Sequence, residues 1–485
     1  MYLQLGEQKR SPGATSHLIN GDTLVDAGMG IENKKVGENY SADYSQTSGK
    51  IKEIFVSHLH FDHIGALIEA AMANPDAVIA MTRPTAGGGE IILRDSFKIS
   101  SQDQKRAQAE GKEVKPLPYH ESDIHKVLLR IRPIDKPGWY AIGSKLVGFY
   151  SAGHTRGAAM IFIIIGDKAY FFTGDTCSHN QPLVKGVMLP PKEFFGDRLR
   201  GKEIVMITET TYGNRELPKP MPQLQKNYQE FIKKMVLSRI QVLEPSFSDR
   251  APSLLKLNSD MGIASHIDGM AVDFLHLYAE KKWCEQDILL NLDELIAKKL
   301  AIIYPKPDKN ANQAKYEAVD RHRAETALGS CCGISCSPII SSSAMLDQGR
   351  SVQHAERILP NRKANIIFTG YMFPGSIGEE VMRVKKGNTV KLNTWNSKLR
   401  KSIEKPVPVS CEVTHFGLSA HDEAPKLVER VARFHELCQE LGAELAAVVG
   451  HHGNDENYAG FERRVKTLAL GIPVFRGLHG VELPL

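Results

Sequence analysis

The sequence predicts an α/β protein in which short strands deliver polar side chains to their ends. Three features predict it. The first 210 residues alternate short apolar runs with polar turns. Beyond Arg215 the apolar residues recur at helical spacing, with short strands between. Several apolar runs also stop at a glycine that stands beside histidine or aspartate, the sequence form of a tight turn at a strand end.

The elements follow in order. Asn20-Gly21-Asp22 is a turn signal, and Thr23-Leu24-Val25 after it reads as a strand ending on Asp26. Ile54-Phe55-Val56 reads as a short buried strand, and helical periodicity runs over 64–73 and again over 121–130. Residues 95–137 carry Lys98, Lys105, Arg106, Lys112 and Lys115 and read as mostly loop. Strands are predicted at 146–150, 160–165 and 169–173. In the second half the spacing predicts helices over 222–237, 267–281 and 286–298 and strands over 338–342 and 365–369. Leu427, Val428, Val431, Phe434, Leu437 and Leu441 mark a helix over 423–441, followed by a strand at 446–449.

Composition narrows the class. The chain has 485 residues, 42% hydrophobic and 24% charged, enough for two or three domains with sizeable cores. A net charge of +5 permits a polyanionic partner without demanding one. Met1 to Ser16 lacks the apolar core of a secretory leader, and Ala158 to Ile165 is too short to span a bilayer. Seven cysteines, an odd number, fit reduced thiols better than a disulfide framework, so a cytoplasmic protein away from membranes is expected. Cys331, Cys332 and Cys336 match no paired zinc spacing and read as small buried hydrophobes.

The chemistry is concentrated in Ser57-His58-Leu59-His60-Phe61-Asp62-His63, on the turn between the Ile54 strand and the helix after it. An apolar core has no use for so much imidazole and carboxylate in one place. A divalent cation does, because neutral imidazole and ionised carboxylate are ligands zinc prefers. Further ligands are expected at other strand ends. Gly153-His154, Gly174-Asp175 and Gly450-His451-His452-Gly453 are such ends, the last leaving two histidines in play.

With H-x-H-x-D-H complete at 58–63 and these strand ends in this order, the chain resembles the metallo-β-lactamase superfamily. The resemblance implies an αβ/βα sandwich with two Zn2+ per chain, and Mn2+ as a tolerated substitute. It assigns His58, His60 and His154 to one metal, Asp62, His63 and the late histidine to the other, and Asp175 to both, with Asp26 in support. About 275 residues separate Asp175 from His451 and His452. Their landmarks are Thr208-Glu209-Thr210-Thr211-Tyr212-Gly213, Ile339-Ile340-Ser341-Ser342-Ser343, Phe368-Thr369-Gly370-Tyr371 and Gly417-Leu418-Ser419-Ala420-His421-Asp422. These resemble the β-CASP nucleases, in particular compact RNA-cleaving members akin to the cleavage and polyadenylation specificity factor endonuclease. The expected layout is a metallo-β-lactamase domain over 1–210, an inserted α/β β-CASP domain over 211–415, and a return over 416–485.

By the same resemblance Glu209, His421 and His452 are the three β-CASP motif residues. His452 is preferred over His451 because it directly precedes Gly453. A histidine at that motif points to RNA rather than DNA. Asp62, Glu209 and His421 are then the expected catalytic groups. His421 would protonate the leaving 3′ oxygen, with Glu209 holding it. Ser341, Ser342 and Ser343 form a hydroxyl-rich turn able to cradle a phosphate. The chain shows neither an N-terminal KH extension nor the C-terminal extension of RNase J, which points to the compact, endonuclease-like branch. The expected function is zinc-dependent hydrolysis of single-stranded RNA, endonucleolytic, with 5′-exonuclease activity and a homodimer left open. The rival readings are a DNA nuclease of the same architecture and a non-catalytic RNA-processing subunit.

Overall fold

The strand Glu53–Val56 is buried along its whole length, Ile54, Phe55 and Val56 as an apolar run between two covered faces and Glu53 with its Oε1 accepting the Ser144 backbone N–H at 2.9 Å. It lies inside a seven-stranded sheet. In hydrogen-bonded order the strands are Glu482–Leu483, Tyr2–Gln4, His17–Ile19, Thr23–Val25, Glu53–Val56, Val78–Thr82 and Ile131–Ile134. Pairing is antiparallel up to Thr23–Val25 and parallel from there on. These details come from a computed structural model. It describes residues 2–6, 13–31, 39–109, 111, 117–217, 219–247, 249–280, 282–304, 336–396 and 401–483.

A second seven-stranded sheet runs Val474–Arg476, Glu444–His451, Glu203–Glu209, Lys168–Phe172, Ala159–Ile165, Lys145–Ser151 and Gly138–Ile142. The two sheets face each other. Phe55, Ala80 and Val25 of the first share a core with Phe149, Ile161, Phe172 and Val449 of the second. The outer face of the first sheet is covered by Leu67–Ala73 and Glu121–Leu129, and that of the second by Ala424–Leu441 and Asp455–Lys466. The result is the expected αβ/βα sandwich. The helix Ala424–Leu441 buries Leu427, Val431, Phe434, Cys438 and Leu441 and stops at Gly442, close to the predicted span.

Between the strand Glu203–Glu209 and the helix Ala424–Leu441 the chain builds a third, wholly parallel sheet. Its order is Ala301–Ile303, Ser265–Asp268, Ile339–Ser341, Gln241–Pro245, Ala364–Phe368 and Glu412–His415. Met221–Leu237, Ala251–Ser259 and Ala271–Ala279 pack in one core beside it, Arg350–Ile358 and Ile377–Arg383 in another. This is the inserted α/β domain. No helix among the described residues is long and apolar enough to cross a membrane.

Several predicted elements differ. The region 95–137 is not mostly loop: Arg83–Ala109 is one long helix. Its lysines and arginines are good helix formers, but Gly87-Gly88-Gly89 near its start disguise it. Those glycines permit close packing: a Cβ on Gly88 would lie 2.8 Å from Leu59 Cδ2, within the metal-motif turn. The helix predicted over 64–73 is broken at Gly65 and Ala66 into Phe61–Ile64 and Leu67–Ala73. The span 267–281 holds the end of the strand Ser265–Asp268, a turn at Gly269 with φ +76°, and the helix Ala271–Ala279. Only Leu292–Ala297 of 286–298 is helical. Cys336 is buried, as expected, while Cys331 and Cys332 lie outside the described residues.

A buried acid in the third sheet gives a stability test. Glu244 accepts from Tyr228 Oη at 2.8 Å and from Asn258 Nδ2 at 3.4 Å. Burial pushes its carboxyl from 4.5 up to about 8, and these hydrogen bonds only partly oppose the rise. The folded chain therefore keeps a proton that the unfolded chain releases, and stability falls as pH rises from about 4.5 to about 8. Glu244→Gln, isosteric with the protonated acid, should raise Tm over wild type at pH 8.5 and leave it nearly unchanged at pH 5. Equal Tm shifts at both pH values would show that Glu244 is not the titrating group.

Candidate metal centre

The ligand-bearing turn begins where the strand Glu53–Val56 ends. Asp26 sits directly alongside, its backbone in the left-handed region at φ +61°. Its Oδ1 accepts the Ser57 backbone N–H at 2.6 Å, and its Oδ2 accepts from Ser57 Oγ and His63 Nδ1, both at 2.8 Å. That bond fixes the proton of His63 on Nδ1 and turns Nε2 inward. Gly28 allows the crowding: a Cβ there would lie 1.8 Å from the Asp62 carbonyl oxygen.

Three imidazole nitrogens converge on one side. His60 Nδ1 is 3.1 Å from His58 Nε2 and 3.1 Å from His154 Nε2. His154 is oriented by a 2.8 Å hydrogen bond from Nδ1 to the Ala420 carbonyl. Burial and the neighbouring histidines hold His58 and His154 well below the usual imidazole range. Both are therefore neutral and present lone pairs.

Asp175, beyond the strand Lys168–Phe172, stands between this triad and a second group. Its Oδ2 is 3.5 Å from His58 Nε2 and 3.8 Å from His154 Nε2. Its Oδ1 is 3.4 Å from His63 Nε2 and 3.6 Å from His452 Nδ1. His452 Nε2 lies 2.7 Å from Asp62 Oδ2, and Thr211 Oγ1 lies 2.9 Å from His452 Nδ1. His451 points the other way and meets His17 edge-on, with ring centroids 4.5 Å apart. His451 is the last residue of the strand Glu444–His451, and His452, just beyond it at φ +59°, is the one that reaches the centre.

The donor set fits cations. His63 Nε2 and Asp175 Oδ1 are buried and have no hydrogen-bond partner in the protein. Such orphans are costly unless something charged satisfies them. The potential ligand atoms of His58, His60, His154 and Asp175 lie within 4.8 Å of one another, as do those of Asp62, His63 and His452. The first set could hold one metal ion, the second another, with Asp175 touching both.

Glu209 and His421 adjoin this centre. Glu209 ends the strand Glu203–Glu209 and is fully buried. Its Oε1 accepts from the Thr176 backbone N–H at 2.5 Å and from Thr176 Oγ1 at 3.1 Å, and its Oε2 from His421 Nδ1 at 2.8 Å. His421 Nε2 is 3.9 Å from Asp175 Oδ2. Burial pulls the His421 imidazole down, but Glu209 and Asp175 outweigh it and raise it to about 10. His421 is thus a protonated donor whose free nitrogen faces the centre. Behind it the wholly buried Arg430 binds Thr176 Oγ1 and Asp422 Oδ2, each at 2.7 Å.

The predicted residues His58, His60, Asp62, His63, His154, Asp175, Glu209, His421 and His452 are therefore brought together. Ser341, Ser342 and Ser343 are not. Ser341 ends the strand Ile339–Ser341 and its carbonyl accepts from the Ser246 backbone N–H at 3.0 Å. Ser343 Oγ donates to the Gln348 carbonyl, also at 3.0 Å. Their described hydrogen bonds stay within the inserted domain, none reaching a metal ligand. One neighbour was missed: Asp249, whose Oδ2 is 3.1 Å from His60 Nε2. A lone aspartate in a loop 189 residues from its partner leaves no spacing signal.

Comparison with known proteins agrees with the fold. The family model of the metallo-beta-lactamase superfamily matches residues 14–186, and that of the Beta-Casp domain matches residues 261–381. The chain is 24% identical to "Probable RNase MJ4" of Methanocaldococcus jannaschii over 84% of its own length and 82% of the relative's. It is 25% identical to "Endoribonuclease YSH1" of Candida albicans over 69% of its length, spanning 37% of that protein. A crystal structure of a protein of unknown function from Enterococcus faecalis superposes on the whole chain with a TM-score of 0.52 at 13% identity, covering 99% of that structure.

Proposed function

The chain belongs to the metallo-β-lactamase superfamily and carries a Beta-Casp domain, and from that premise we propose that it is a zinc-dependent ribonuclease. Its substrate is single-stranded RNA, cut internally, with 5′-exonucleolytic trimming as a second mode. The observation that carries the reading is the position of the Glu209–His421 pair, 3.9 Å from the carboxylate that joins the two ligand groups. A metal-binding protein without catalysis has no need of a protonated imidazole there. The names of the relatives above add RNA as the substrate class, and His452 is the family's RNA-type motif residue.

Two divalent cations, one on His58, His60 and His154 and one on Asp62, His63 and His452, would lower the pKa of a bound water and neutralise phosphate charge. The residues do the rest. Asp175 offers one carboxylate oxygen to each group and fixes their spacing. Asp26 holds His63 in the tautomer that keeps Nε2 inward. His421 donates its Nε2 proton to the leaving 3′ oxygen, and Glu209 accepts at Nδ1, sustaining the charge on the ring.

The test is cleavage of matched 5′- and 3′-end-labelled RNA and DNA oligonucleotides, single-stranded and duplex, with and without chelator. Internal cuts in single-stranded RNA alone, abolished by chelation, are expected. Affinity should fall with added salt as phosphate contacts release counterions. Equal cutting of DNA would replace the substrate class, and full activity after chelation would overturn the assignment.

A further inference from the structure

The two ligand groups are held by different parts of the molecule. His63 is oriented by Asp26 and His452 by Thr211, at 2.8 and 2.9 Å. Asp26 belongs to the sandwich, and Thr211 follows two residues after the end of its strand Glu203–Glu209. The first group is gripped from the inserted domain. His60 presents Nδ1 to His58 and His154, so its Nε2 carries the proton, and that nitrogen lies 3.1 Å from Asp249 Oδ2. Asp249 is buried, in the loop between the strand Gln241–Pro245 and the helix Ala251–Ser259. The neighbouring Arg250 bonds Gln181 and the Leu418 carbonyl, bolting the loop to the sandwich.

A second grip falls on the loop after His154. Tyr278 of the helix Ala271–Ala279 accepts the Arg156 backbone N–H on its hydroxyl at 3.3 Å. The Arg156 guanidinium, buried, lies 4.7 Å over the Tyr278 ring and donates to the Ile288 carbonyl. One ligand of the first group, His60, and the loop that follows another, His154, are thus held by contacts from the inserted domain.

The geometry points to Asp249 as a positioning residue of the inserted domain that makes metal binding at His58, His60 and His154 conditional on docking, while binding at Asp62, His63 and His452 is independent of it. The chemistry is that of a carboxylate behind a metal-binding histidine: it fixes the ring, sets the tautomer and raises the basicity of the coordinating nitrogen. The inference rests on the metal-centre reading above.

Zinc titration of the full chain against a competing chromophoric chelator tests it without reference to activity. Wild type should bind two ions. Asp249→Ala should weaken one of them by roughly 10–100-fold and leave the other in place. Asp249→Asn keeps the shape and an oxygen facing His60 Nε2 but loses the charge, so it should fall between, whereas a packing role would leave it binding like wild type. It also carries the test should the alanine variant fail to fold. His60→Ala should lose the same ion outright. If His60→Ala kept both ions, the metal reading itself would be wrong. If it lost one while Asp249→Ala bound like wild type, or if Asp249→Ala weakened both ions equally, the positioning role would be overturned.

Discussion

Asp175→Asn is expected to strip the protein of metal and to abolish cleavage, the largest effect of any single substitution. The side chain is 2% exposed and stands within 3.9 Å of His58, His63, His154, His421 and His452. Asparagine keeps the shape. It removes the negative charge that both ligand groups share and turns an N–H donor toward one of them. At an effective dielectric of about 20, one unit charge roughly 4 Å from another is worth about 4 kcal/mol, or about 10³-fold in affinity for each unit of cation charge. Metal content measured on desalted protein should fall from two ions toward none, and cleavage should drop below detection. The fold should survive, because Asp175 makes no hydrogen bond that anchors a strand. A variant that retained two ions and the wild-type rate would remove Asp175 from the centre. His63→Ala should behave likewise, with the Asp26 carboxylate left buried beside the gap.

The centre was legible because the chain concentrates unlike ligands on one turn and ends its strands on glycine. His58 through His63 need no tertiary knowledge, and Gly153, Gly174 and Gly450 flag the rest. The helix Ala424–Leu441 was equally plain, since one face of it is continuous core. What failed was local sequence overridden by packing. The glycine triplet that hid Arg83–Ala109 exists to let that helix approach Leu59 and Ile64, a reason visible only in three dimensions. The end of the strand Ser265–Asp268 fell inside the helix predicted over 267–281, because only Gly269, with its positive φ, divides it from the helix Ala271–Ala279. Between His451 and His452 sequence offered only a neighbouring glycine, whereas the strand ending at His451 and the left-handed backbone of His452 send one to His17 and the other to Asp62. Asp249 lies in a stretch, 245–250, that matches the β-CASP nucleases only approximately, and it took no role from sequence because its partner His60 is fixed by how two domains meet.

On the proposed mechanism, acid catalysis and metal binding are expected to separate at His421. Its Nδ1 is committed to Glu209 at 2.8 Å, and its Nε2 faces Asp175 at a distance too long for a hydrogen bond and suited to an intervening substrate oxygen. General acid catalysis is typically worth roughly 10²–10⁴-fold. His421→Ala should slow cleavage by about that factor while two metal ions and RNA affinity stay nearly unchanged. Glu209→Gln should cost less, because the ring remains in place. It should also move the alkaline limb of the pH–rate profile to lower pH. Glu209 raises the imidazole above its usual value, so the proton is present below that raised value and lost as pH climbs through it; without the carboxylate the loss comes earlier. An RNA with sulfur in place of the scissile 3′ oxygen leaves without needing the proton. It should restore much of the rate to His421→Ala and none to His63→Ala, since only the first variant lacks an acid. Were His421→Ala to lose a metal ion, or the sulfur substrate to rescue neither variant, His421 would be a ligand or a scaffold, and the proton for the 3′ oxygen would have to come from another donor.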